Sequence, residues 1–237
     1  MKKNNNYLYY LVIILLLVNI SLNLFTSFNK DKNITAEKIF KSSMYSVVEV
    51  KATTEDIGDS FGSAVFVCKD GTLVTNAHVV TYKQLNVYYE FNTIEIRFCF
   101  ENDYRPVSII KYDKDLDIAL LKLNDVNCDF KPVSFSDSKA CKTGNLVYAV
   151  GNLNNVGLSM SKGIVSNPSI NVEYNDKTRN VIQCDLTIAD GNSGGALFDE
   201  SGKLLGITTF RLKDSSKNVI YGIAYCVPAN VVLEYIK

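Results

Sequence analysis

The chain has no tryptophan, a single histidine, four prolines and three methionines in 237 residues. It also lacks a charge excess: lysine plus arginine and aspartate plus glutamate are each 25, for a net charge of zero. A nucleic-acid partner would leave a basic surplus, so none is expected. Long like-charge tails are missing too, so charge patterning names no partner. None of the six cysteines (Cys68, Cys99, Cys128, Cys141, Cys184, Cys226) forms a C-x-x-C pair. That argues against a zinc or redox motif, and no metal and no cofactor are expected. Repeats are absent. The missing tryptophan, beside plentiful tyrosine, asparagine and lysine, reflects a biased genome more than a function.

What is present is a large apolar fraction, 47%, enough for a packed core. The length suits one sizeable domain or two small lobes. Residues 1–34 stand apart as a targeting segment and linker. Lys2 and Lys3 are basic, and 7–25 is almost wholly apolar, with Asn19, Ser21 and Asn23 as late interruptions. A cleaved signal needs small residues at its cleavage site, and no Ala-x-Ala is found. An uncleaved anchor needs about 20 apolar residues, which 7–25 nearly supplies, with the lysines on the cytoplasmic side. The anchor is the preferred reading. Either way the remainder is expected outside the cytoplasm. In an exported chain six cysteines permit 15 disulfide connectivities. Cys68 and Cys226 lie in apolar strands and read as small buried residues, so no pairs are assigned.

Residues 35–237 form the second unit. Thr35 resembles an N-cap before a short helix at 36–41. Short alternating segments follow at 45–50, 61–68, 73–75, 85–89, 94–100, 107–111 and 118–123, separated by Gly, Asn and Asp turn signals. A second run covers 146–150, 158–165, 181–187, 195–198, 204–210 and 219–226. Pro228 opens a terminal helix to 236. The expected fold is all-β: two six-stranded antiparallel barrels, at about 43–128 and 143–237, with a polar joint near 127–142.

Three segments carry chemistry. In Gly191-Asn192-Ser193-Gly194-Gly195, glycines on both sides of a serine are costly in a strand. They suit a tight bend that aims the amides of Gly191 and Ser193 at one point, an oxyanion hole for acyl transfer. The bland alternative is a hairpin turn. In Thr75-Asn76-Ala77-His78-Val79-Val80, His78 follows a strand. A serine nucleophile needs a base near neutrality, and no second histidine exists. In Lys114-Asp115-Leu116-Asp117-Ile118, Asp117 directly precedes an apolar strand and can orient a histidine. Asp113 and Asp115 nearby show how common turn aspartates are, and Asp115 is the nearest competitor.

The order His, Asp, Ser is that of the chymotrypsin-type arrangement. The chain resembles trypsin-like serine proteases, and within them the HtrA/Deg branch. Residues 75–80 are similar to its T-N-x-H-V-V, 117–121 to D-I-A-L, 149–152 to A-V-G-N, 163–166 to G-I-V-S, 192–197 to N-S-G-G-x-L and 205–209 to I-G-I-N-T. Residues 223–224 and 227–230 are similar to F-A-I-P-S-N. The likeness spans about 35–237. It implies a serine endopeptidase with His78, Asp117 and Ser193 as catalytic triad, acting on polypeptides in extracytoplasmic quality control. It also implies a substrate pocket near Thr187, Asp190, Ile207, Thr208 and Thr209. Thr187 is not acidic, which argues against Arg/Lys specificity. Asp190 would repel acidic side chains, so a small or medium aliphatic residue before the cut is expected.

The departures limit the transfer. Family members usually carry a PDZ domain after the protease, and none is expected here; the trimer-forming segment is not evident, so the oligomeric state stays open. Val79 stands where digestive trypsins have a cysteine. Two other classes compete: a trypsin-fold binding module that has lost catalysis, and an α/β-hydrolase esterase. The first would ordinarily lack a triad residue. The second wants a histidine after the serine, and none follows Ser193.

Overall fold

The computed structural model describes the backbone of residues 6–30, 35–174, 177–213 and 219–237, and the side chains of 7–21, 35–173, 177–211 and 220–237. Lys2 and Lys3 lie outside the described residues. Contacts divide the chain into two units, Met1–Thr35 and Ala36–Lys237. The first holds helix α1, Asn6–Lys30. Among the described residues no helix is long and apolar enough to cross a membrane. The anchor expected from 7–25 is therefore unsupported: the polar positions Asn19, Ser21 and Asn23 interrupt the apolar run in its second half.

The second unit begins with α2, Ala36–Ser43, followed by β1 (Val47–Thr54), β2 (Gly58–Phe66), β3 (Thr72–Thr75) and the one-turn helix α3 (Ala77–Val80). Then come β4 (Thr81–Gln84), β5 (Val87–Glu90), β6 (Thr93–Arg97), β7 (Arg105–Asp113) and β8 (Ile118–Leu123). After the joint follow β9 (Leu146–Asn152), β10 (Leu158–Tyr174), β11 (Lys177–Asp185), β12 (Ala196–Asp199), β13 (Leu204–Lys213), β14 (Val219–Pro228) and α4 (Ala229–Ile236). The strands close into two six-stranded barrels, β1-β2-β3-β8-β7-β6 and β10-β11-β14-β13-β12-β9. All their pairings are antiparallel.

Strand alternation sorts the core into three main parts, with a small fourth cluster of Val181, Phe210 and Tyr225. On β1, Val48, Val50 and Ala52 fill the first barrel with Phe66, Leu73, Ile96 and Leu121. The opposite-facing Val47 joins Val65, Val74, Ile118 and Leu120 against Tyr148, Val150, Phe198 and Ile207 of the second barrel. Ile39 of α2 and Val232 of α4 complete this inter-barrel layer. The second barrel is filled by Val147, Val165, Ile182, Leu197, Leu205 and Ala224, with Cys184 and Cys226 among them. Both of these thiols are free and buried, and the other four cysteines are free and half-buried.

Two strands differ from expectation. The single strand expected at 85–89 is a separate hairpin, β4–β5, turning at Leu85 and Asn86 with φ of 48° and 63°. Two positive φ values are what a tight hairpin turn requires; asparagine signals that and leucine does not. β10 runs on well past residue 165, because bulges around Asn167 let the strand carry Pro168 without breaking.

Candidate active site

The barrels bring His78, Asp117 and Ser193 to their junction. His78 sits in α3, directly after β3; Asp117 directly precedes β8, the partner of β3. Pairing β3 with β8 therefore sets the two side chains next to each other. His78 Nδ1 lies 2.8 Å from Asp117 Oδ2 and 3.0 Å from Oδ1. The His78 backbone N–H donates to Oδ1 at 3.1 Å, and Thr209 Oγ1 donates to Oδ2 at 2.6 Å. The Asp115 carboxylate instead pairs with Lys177 on the exposed surface, at 3.1 Å. Of the two competing carboxylates, Asp117 is the one that meets the histidine.

Asp117 has φ of +56°, a left-handed conformation that aspartate tolerates better than most residues. Its carbonyl accepts a hydrogen bond from the Asn76 side-chain amide at 2.8 Å. Burial pushes the Asp117 carboxyl pKa up. The charge and hydrogen bond of His78, the Thr209 hydroxyl and the Arg179 guanidinium outweigh that and hold it below the usual carboxylate range. Arg179, on β11, donates to the carbonyls of Lys114 at 2.8 Å and Asp115 at 2.9 Å, and lies 3.6 Å from Asp117. One guanidinium from the second barrel thus pins the loop that carries the first barrel's carboxylate.

Ser193 lies on the turn before β12. Its hydroxyl donates to the Thr209 carbonyl at 3.0 Å, and it borders the same cavity as His78, about 140 Å³ in volume. The flanking glycines are there for close approach. Gly191 has φ of +88°, and a Cβ on it would run into the Asn152 carbonyl; Gly194 has φ of +82°, and a Cβ would strike the Ser63 carbonyl. Among the described residues no protein acceptor takes the Gly191 or Ser193 amide. The Asp190 carbonyl, on the same peptide plane as the Gly191 N–H, is held by the Asn154 amide at 2.7 Å. Because the two groups of a trans peptide point apart, that turns the Gly191 N–H away from Asn154.

Ser63, which sequence reasoning passed over, locks this turn. Its N–H donates to the Ser193 carbonyl at 2.8 Å, and its hydroxyl donates to the Gly191 carbonyl at 2.8 Å while accepting the Asn152 N–H at 2.8 Å. The residue is fully buried. The only hint of it in the sequence is a serine in Gly62-Ser63-Ala64, where the strand otherwise carries apolar inward positions. Ser63→Ala should leave a buried carbonyl and a buried amide without partners, costing about 1–3 kcal/mol. Urea denaturation should show that loss, and acylation should slow by about tenfold as the oxyanion amides lose their alignment.

The expected pocket residues are placed unequally. Thr209 and Asp190 line the cavity. Ile207 and Thr208 are buried and do not; the Thr208 hydroxyl donates to the Asn192 carbonyl and so braces the turn that carries Ser193. Thr187 is exposed and also lies off the cavity, because it alternates outward while Leu186 and Ile188 point in. The lining instead includes Ile188, Phe210 and Arg211.

A trypsin-like peptidase domain profile matches residues 62–207. The chain belongs to the trypsin-like peptidase family. Its relatives include the serine endoprotease DegS of Haemophilus influenzae, 28% identical over 91% of this chain and 62% of that protein. A probable periplasmic DegP-like serine endoprotease of Rhizobium meliloti is 33% identical over 74% of this chain and 32% of its own. Among solved structures, an HtrA-type protease AlgW with a tripeptide matches with a TM-score of 0.73 and 27% identity, covering 86% of this chain and 62% of that one. The HtrA/Deg resemblance drawn from the motifs holds. The chain spans from about a third to three fifths of these relatives' lengths.

Proposed function

We propose that this trypsin-like domain is a serine endopeptidase that cleaves polypeptides through an acyl-enzyme. The observation that carries the proposal is the Thr209–Asp117–His78 hydrogen-bonded chain facing a cavity shared with Ser193 and its two open amides. Asp117 accepts a hydrogen bond from Nδ1–H and fixes the tautomer in which Nε2 is a base. His78 takes the Ser193 proton as Oγ attacks the scissile carbonyl. The hydroxyl's bond to Thr209 is a resting arrangement; catalytic hydrogen bonds commonly tighten only with substrate bound. The amides of Gly191 and Ser193 receive the oxyanion, worth about 3 kcal/mol per donor. His78 returns the proton to the leaving amine, then activates water to release the acyl group. A fluorophosphonate probe should label the wild-type protein and not Ser193→Ala. Labelling that survives the substitution sinks the assignment.

We also infer that the domain works outside the cytoplasm, in the quality-control role that the HtrA/Deg resemblance implies. The apolar start and the periplasmic relative support this reading. An export-dependent reporter fused after residue 237 should be active; an inactive fusion made in normal amounts overturns it.

A further inference from the structure

The cavity beside Ser193 holds a cation. Arg211 lies two residues past Thr209 on β13, and its side chain is only 17% exposed. Its guanidinium meets the Asp190 carboxylate at 2.6 Å, and the Asp190 side chain is 90% exposed. Asp190 sits on the segment leading into the nucleophile, three residues before Ser193. Both side chains line the cavity with Ile188, Phe210 and the catalytic pair.

The two halves of this ion pair are unequal. The guanidinium is largely withdrawn from water and presents a planar fork of donors to the cavity. The carboxylate stands in solvent, gains little from the pairing and loses little on leaving it. A different carboxylate entering the cavity can take its place on Arg211. The guanidinium then keeps a charge-assisted partner, and Asp190 returns to water. A lysine or arginine side chain would instead meet a like charge already seated on the wall. An amide or alkyl side chain offers Arg211 nothing comparable to what it gives up.

Resting on the endopeptidase reading, we propose that Arg211 selects an acidic residue on the substrate. That residue is the one whose carbonyl Ser193 attacks, and Asp190 holds the place of its carboxylate in the free enzyme. The expected repulsion of acidic side chains by Asp190 gives way for a physical reason. The charge of Asp190 is already matched by Arg211, which lies behind it on the cavity wall.

Two peptides that differ only by Glu or Gln at the cleaved position test this, because they are nearly equal in shape and differ in charge. Wild-type kcat/KM should favour Glu by about tenfold or more at low ionic strength. Arg211→Gln should bring the ratio near one while fluorophosphonate labelling of Ser193 persists. Asp190→Asn removes the internal competitor and should raise kcat/KM for the Glu peptide several-fold, a gain that a merely structural role would not produce. Equal cleavage of both peptides by a labelled wild-type enzyme overturns the acidic preference and leaves the endopeptidase reading standing. A fall in Glu selectivity in Asp190→Asn also overturns the preference. Failure of labelling and of both cleavages overturns both readings together.

Discussion

Ser193→Ala is expected to lower kcat by about 10⁶-fold while the protein stays folded. The hydroxyl makes one hydrogen bond, to the Thr209 carbonyl at 3.0 Å, and sits half-buried at the cavity edge. Losing one such bond costs about 1 kcal/mol, so the urea midpoint should move little. The turn itself is held by other groups: the Ser63 N–H and hydroxyl, the Thr208 hydroxyl and the Gly194 N–H on the Thr208 carbonyl. The oxyanion amides therefore stay aligned in the variant. A residual rate of about 10³-fold over water should remain from them and from binding. His78→Ala should cost about as much as Ser193→Ala, and the double variant no more than either, because the two residues work as a unit. Single-turnover kinetics on a peptide ester give the decisive measurement. A Ser193→Ala protein retaining more than about 1% of wild-type acylation, against the 10⁶-fold loss a triad serine implies, would place the nucleophile elsewhere.

Much of this arrangement is legible in the sequence because it is local. Alternating apolar positions in short runs bounded by turn residues give the barrel strands, and Val47 against Val48 shows how one strand serves two cores at once. Gly-Asn-Ser-Gly-Gly marks the turn of the proposed nucleophile through backbone conformations that only glycine takes cheaply. The lone histidine leaves one candidate for the proposed base. What escapes the sequence is whatever depends on distant partners. Asp117 is set apart from Asp115 in the sequence only by its place before an apolar strand and by the D-I-A-L resemblance, until β3 pairs with β8 and Lys177 meets Asp115. Ser63 reads as an ordinary strand serine until the Gly191 carbonyl arrives from 128 residues away. Arg211 lies just past the strand expected at 204–210 and carries no signal of its own there; only the approach of Asp190 shows it as part of a cavity wall. Thr187 was expected in the pocket because its spacing from Ser193 was carried over from the family, but in the segment past β11 it is exposed while its neighbours Leu186 and Ile188 are buried. Asn86 signals a turn, yet Leu85 beside it does not, so a hairpin resembled one strand.

Asp117→Asn should lower kcat by about 10⁴-fold with a much smaller change in KM. The carboxylate is buried and receives three donors: the His78 ring, the His78 backbone N–H and the Thr209 hydroxyl. A carboxylate can only accept, so all three are satisfied together. Asparagine supplies one accepting oxygen and one NH₂ group that must itself find an acceptor. If the NH₂ faces Nδ1, the imidazole is driven into the tautomer with its proton on Nε2 and cannot take the Ser193 proton. If it turns toward Thr209 and that hydroxyl rotates to accept, the tautomer survives but the charge that stabilises imidazolium is gone. Both outcomes lower kcat rather than substrate binding. The same substitution removes the anion 3.6 Å from the buried Arg179 guanidinium, so stability should fall as well. The pH dependence identifies the source of that fall. The folded-state pKa of Asp117 is depressed, so its contribution is present above the unfolded value of about 3.9 and is lost as pH falls through the folded value. The urea midpoints of wild type and Asp117→Asn should therefore differ at pH 7 and converge as the pH drops below about 4. A gap that stays constant far below about pH 4 would show that Asp117 is not held as a carboxylate by these partners, and kcat preserved in the variant would remove it from the triad.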